Sequence, residues 1–233
     1  AIGSNALGTQ NAGADAYNIA IGHNAGLSVT TGNKNVIVGG LAGDANTTGS
    51  ENTALGYGSL SANTTAANNT AVGSTALLTN TTGASNTAVG RRALFSSTTA
   101  SSNTAVGDNA LLSNTTGASN TSVGYVSGAA NTTAANNTAV GANSLQANTT
   151  GSANTALGKG ALASNTTASE NVAVGFESLV SNTTGAELVA IGERALTTNT
   201  TGSDNTALGR VALLLNTTGA SNTAVGNNAL RAN

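Results

Sequence analysis

Side chains able to do chemistry are sparse in these 233 residues. His23 is the only histidine. A Ser-His-Asp relay needs an imidazole held between a nucleophile and an orienting carboxylate, and it would have to be built around that one residue near one end of the chain. Glu187 and Glu193 are spaced to approach each other across a turn, as an acid and base flanking a glycosidic bond would be, and equally suit two exposed corners. Asp15, Asp44 and Asp204 are isolated, unlike the Gly/Asp pattern of calcium-binding β-helical repeats. With no Cys and a single His there is no zinc-ligand spacing. No G-x-x-x-x-G-K-[ST] follows a candidate strand, and Arg91-Arg92 is a lone basic pair rather than a nucleic-acid-binding stripe. Asn-Thr-Thr, as at Asn46 and Asn80, fits the N-glycosylation acceptor pattern and equally a structural turn. The expectation is a protein without enzymatic activity, cofactor or metal.

Composition narrows the class further. Charged residues make up 7% of the chain, against about 25% in ordinary soluble domains. A net charge of −2 gives no electrostatic reason for a nucleic-acid or anionic-membrane partner. No apolar run approaches the roughly 18 residues of a membrane span. The chain has neither an initiator Met nor a signal-peptide pattern, which reads as an excerpt of a longer chain, a processed form or a filament subunit.

The elements that would position any of these residues are set by a repeat. Gly3, Gly22, Gly39, Gly56, Gly73, Gly90, Gly107, Gly124, Gly141, Gly158, Gly175, Gly192, Gly209 and Gly226 each follow an apolar residue. The first spacing is 19, with Ala16 and Tyr17 as the insertion, and every later one is 17. The consensus is N-T-A-V-G-x-x-A-L-x-x-N-T-T-G-x-x, here numbered one to seventeen with the glycine at five. Recurrence at this length means a solenoid rather than a closed globule. Position fifteen alternates Gly and Ala from Gly49 to Gly185, suggesting duplication of a two-turn block. A helical repeat of that length is excluded because 3.6-residue apolar spacing is missing and Asn, Thr and Gly are poor helix formers. The predicted fold is all-β: one parallel β-solenoid domain over residues 1–233, a β-roll of about 14 turns of 17 residues.

Alternation along a strand puts positions two and four on one face and position three on the other. Position four is always Val, Ile or Leu, and position two is Thr or a β-branched aliphatic; this reads as the core face. Position three, Ala in all but Ile37 and Ser122, then faces outward with Gly at five and Ala or Ser at eight. Such a flat Ala/Gly strip suits self-association, as a homotrimer or a filament. Position nine is Leu except at Gly26, Gly43 and Gly128, and Leu41 and Val126 are placed to refill two of those gaps. All sixteen charged residues fall at positions six, seven, ten or seventeen, which mark solvated corners. The Asn columns at one and twelve are placed to form amide ladders between stacked turns. Tyr57, Tyr125 and Phe176 share the position-six column and are the candidate contacts for a host-surface or glycan receptor.

Asn86-Thr87-Ala88-Val89-Gly90 and Asn222-Thr223-Ala224-Val225-Gly226, each followed two residues later by Ala-Leu, resemble the head repeat of YadA-like trimeric autotransporter adhesins. Related phage tail-fibre repeats are similar. The resemblance covers the whole chain, with a longer turn and an added Asn-Thr-Thr segment. It implies a left-handed roll, three chains side by side, and display outside a cell or virion. The expected function is therefore an extracellular structural or adhesive rod, an adhesin head or tail-fibre shaft. The alternatives are an end-to-end stacking filament subunit and an ice-binding solenoid with Thr columns. The last requires two outward Thr columns, whereas Thr at position two reads as inward.

Overall fold

A computed structural model describes residues 1–11 and 16–232; Asp15 lies outside them. The chain divides into two compact units, Ala1–Ser119 and Asn120–Asn233. The first holds β1 (Ile19–Ile21), β2 (Val36–Val38), β3 (Thr53–Leu55), β4 (Thr70–Val72), β5 (Thr87–Val89) and β6 (Thr104–Val106). The second holds β7 (Thr121–Val123), β8 (Thr138–Val140), β9 (Thr155–Leu157), β10 (Val172–Val174), β11 (Val189–Ile191), β12 (Thr206–Leu208) and β13 (Thr223–Val225). Within each unit successive strands pair in parallel at a 17-residue offset, Thr70 with Thr87 and Val172 with Val189 for example. Each unit is thus a β-solenoid with one three-residue strand per turn, at positions two to four. The first glycine copy contributes an isolated bridge, Ile2 to Ile21, instead of a strand. No described helix is long and apolar enough to cross a membrane.

The strand face assignment is the reverse of the sequence expectation. Ala71, Ala88, Ala105, Ala156, Ala173 and Ala190 at position three are fully buried. Positions two and four flank them outward and are only half-buried, by their neighbours in adjacent turns. The reason is steric. The inside of a 17-residue turn is narrow, and the Leu at position nine already fills it: Leu77, Leu94, Leu162, Leu179 and Leu196 have no exposure. Only a methyl group fits opposite on the strand. Small size at position three therefore marks the core, and the larger aliphatics at four are displaced outward.

One exchange within the first unit supports this reading. Ile37 is the large exception at position three and is buried. It fills the space left by the two glycines at position nine beside it: a Cβ on Gly26 would lie 3.0 Å, and one on Gly43 3.3 Å, from the Ile37 Cδ1. The expected refilling by Leu41 is thus corrected, since Leu41 at position seven is only half-buried and Ile37 takes the volume.

The two Asn columns hold the turns together differently. At position twelve the side-chain amides form a ladder: Asn63 Nδ2 donates to Asn46 Oδ1 (3.1 Å) and Asn80 Nδ2 to Asn63 Oδ1 (3.2 Å). Each also donates to the carbonyl three residues on, as Asn80 does to Gly83. At position one the Oδ1 accepts the backbone N–H of the next Asn, as Asn69 does from Asn86 (2.9 Å), and the Nδ2 closes its own turn, Asn86 donating to the Ala100 carbonyl (2.8 Å). Buried amides satisfied in this way stabilise, while orphaned ones are costly. The ladder breaks at Ser97, leaving Asn80 Oδ1 and Ser97 Oγ buried without partners. Ser97→Asn is expected to restore the missing rung and raise stability by about 1–3 kcal/mol. Urea denaturation would report this as a higher midpoint at unchanged slope.

Candidate interaction face

Because position three is inward, each unit presents an outward sheet face made of two columns. Position two supplies Ile19, Val36, Thr53, Thr70, Thr87 and Thr104 in the first unit and Thr121, Thr138, Thr155, Val172, Val189, Thr206 and Thr223 in the second. Position four supplies an aliphatic residue in every turn, with Val140 and Leu157 at 38% and Ile191 at 42% exposure. No charge falls at positions one to five in any copy. The Ala/Gly strip expected as the interface is not presented: its alanines at three and eight line the interior. Threonines at position fourteen, such as Thr82 and Thr184, form a further exposed column. They stand beyond the bend at position seventeen, where Ser85 and Glu187 have left-handed backbone conformations.

Corners border this face on both sides, position seventeen before the strand and positions six and seven after it. Their charges pair between neighbouring turns, always at a separation of 17. Lys34 meets Glu51 at 3.1 Å, Arg91 meets Asp108 at 3.1 Å, Arg194 meets Glu177 at 2.9 Å and Arg210 meets Glu193 at 3.4 Å. These are exposed pairs of small individual energetic value. Arg92 lies over the Phe95 ring, 4.7 Å from its centroid, and Lys159 and Arg194 bracket the Phe176 ring at 5.9 Å each. In contrast, Glu170, Glu187 and Asp204 occupy position seventeen in three consecutive turns, exposed and, among the described residues, outside the four ion pairs.

The individual candidates are scattered by the fold. His23 is exposed. Glu187 and Glu193 stand before and after β11, at opposite ends of an extended strand, and Glu193 is held by Arg210; they do not meet. Tyr57, Tyr125 and Phe176 are exposed at 60%, 58% and 40%. Tyr57 belongs to the first unit, its ring beside Gly40. Tyr125 and Phe176 are three turns apart in the second, roughly 14 Å at the usual strand spacing. Asn46 and Asn80 are buried, their side chains engaged in the ladder rather than offered for glycosylation. Among the described residues no three His, Asp or Glu side chains are grouped to hold a metal ion.

One feature escaped the sequence reading. A cleft of about 300 Å³ is lined by Glu177, Arg194, Arg210 and Arg231 together with Val211 and Leu214. Its lining comes from positions six, seven and ten of successive turns. Reading charges by column and then wrapping the columns at 17 would have found it.

The chain matches no family model, no curated protein and no solved structure.

Proposed function

We propose that this chain is a structural repeat segment that associates side by side with copies of itself through the outward Thr/aliphatic face. Such an assembly suits the head of an adhesin or the shaft of a tail fibre, displayed outside a cell or virion, where a stiff spacer is required and no catalysis is performed. The supporting observation is an uncharged sheet face, aliphatic at position four in every turn. Interface centres are depleted in charge in the same way, and contiguous exposed apolar surface marks association sites. A second copy is the fitting partner because it alone repeats its columns at the same spacing, so that contact at one turn is reproduced at the next. Leu157→Glu with Ile191→Glu is expected to weaken self-association at least tenfold by placing unpaired charge in that contact. Sedimentation velocity over a concentration series measures it, with the melting curve of the dissociated chain as the control for folding. A wild-type chain that stays monomeric at every concentration would sink the proposal.

Ice binding is the second reading, favoured by one observation: Thr at position two faces outward in runs of turns, from Thr53 to Thr104 in the first unit and from Thr121 to Thr155 in the second, before Val172 and Val189 interrupt it. Thermal hysteresis abolished by Thr87→Val and Thr155→Val would support it. No hysteresis in the wild-type chain would remove it.

A further inference from the structure

The amide column at position twelve contains one place where the donor has to come from outside the chain. In an intact rung a single Nδ2 serves two acceptors. Asn63 donates to Asn46 Oδ1 and to the Ala66 carbonyl, both at 3.1 Å. Asn199 does the same to Asn182 Oδ1 at 3.0 Å and to the Gly202 carbonyl at 2.9 Å. Residue 97 is serine, whose hydroxyl is too short to reach the equivalent pair. Asn80 Oδ1 and Ser97 Oγ are consequently both without a partner, in residues with no exposure. The Ala100 carbonyl, three residues past Ser97, accepts Asn86 Nδ2 at 2.8 Å and has a second lone pair. It converges on Asn80 Oδ1, since a Cβ on Gly83 would meet both oxygens.

We infer that this rung is a binding site for one internal water molecule. The water donates to Asn80 Oδ1 and to the Ala100 carbonyl, and it accepts a hydrogen bond from the Ser97 hydroxyl. Roughly three bonds to otherwise unsatisfied polar groups are the usual complement of a buried water. Serine is also smaller than asparagine by about the 30 Å³ share of one water. The oxygens around the site are neutral, and every charged residue of the chain lies at positions six, seven, ten or seventeen. A cation here would be buried without a counter-charge, which is far costlier than burying a bonded neutral molecule. The water thus takes the part of the missing carboxamide as donor, and the column continues through a group that is not covalently attached. Because Asn80 and Ser97 are enclosed, exchange with solvent waits on local opening of the stack. This holds whether or not the chain associates with copies of itself.

The test compares oxygen-17 relaxation dispersion of water in the whole wild-type chain with that of Ser97→Asn and Ser97→Val. Ser97→Asn supplies the carboxamide, and Ser97→Val fills the space without a polar atom, as Val29 does at the same position of an earlier turn. Any other enclosed water contributes equally to all three. The wild type is expected to exceed each variant by the amplitude of one long-lived water. A crystal structure of the wild type should show that water about 3 Å from Asn80 Oδ1, Ser97 Oγ and the Ala100 oxygen. Equal amplitudes in the wild type and Ser97→Asn would overturn the inference, as would a crystal structure in which Asn80 turns its amide to another partner.

Discussion

Gly175→Ala is expected to be among the most damaging single substitutions in the chain, costing at least about 3 kcal/mol. Gly175 has a φ of +130°, a region in practice open to glycine. A Cβ there would also sit 2.6 Å from the Gly192 carbonyl oxygen and 2.7 Å from its carbon. Both contacts are with backbone, which cannot swing aside as a side chain would. Relief requires the two turns to separate, and that stretches the bond from the Gly192 N–H to the Val174 carbonyl, now 2.8 Å. Because each turn of a solenoid contacts only its neighbours, the damage should be local at first. Amide exchange would show protection lost around Val174 and Gly192, and circular dichroism a lower or divided thermal transition. An alanine variant that melts with the wild type would show that stacking does not depend on this approach.

Ile37→Ala is expected to cost about 2–5 kcal/mol, the usual range for truncating a buried isoleucine. The value should fall toward the upper part of that range, because Gly26 and Gly43 provide no side chain to collapse into the space. The sharper expectation is a rescue. Gly43 has φ of +50°, close to the +52° and +50° of Leu60 and Leu77 at the same position. Ile37→Ala combined with Gly43→Leu therefore rebuilds the consensus pair of small residue at three and Leu at nine. It should recover most of the lost stability, whereas Gly43→Leu alone should crowd Ile37 and destabilise. Chemical denaturation of the three variants gives the coupling directly.

The sequence carried the period, the place of the strand and the solvated corners, because each depends on residue type alone. Glycine every 17 residues locates the close backbone approach, and sixteen charges confined to four positions can only be corners. What inverted was the inside and outside of the strand. The rule that larger aliphatics point inward assumes a wide interior, and here Leu94 and its equivalents occupy that interior from the other side of the turn. The conformation of those leucines was also illegible. Left-handed backbone at a leucine costs roughly 1–2 kcal/mol, so nothing in the residue type announces it; burial of the whole side chain at Leu94, φ +51°, supplies the offset. The charged corners were legible as columns, but their ion pairs, Lys34 with Glu51 and Arg194 with Glu177 for example, required knowing that neighbouring turns stack in register.

The amide column at position twelve has a sense as well as a spacing. In every rung described the later residue donates and the earlier accepts, from Asn63 to Asn46 and onward to Asn216 with Asn199. The side-chain dipoles within a unit therefore add rather than cancel, and each rung polarises the next. Defects in such a column are asymmetric. At Ser97 the acceptor on the amino-terminal side, Asn80 Oδ1, is stranded, while Asn114 on the other side keeps its donation to the Gly117 carbonyl. Moving one serine along the column would leave the penalty with the preceding turn each time, so the stack has a grain along which it is weakest.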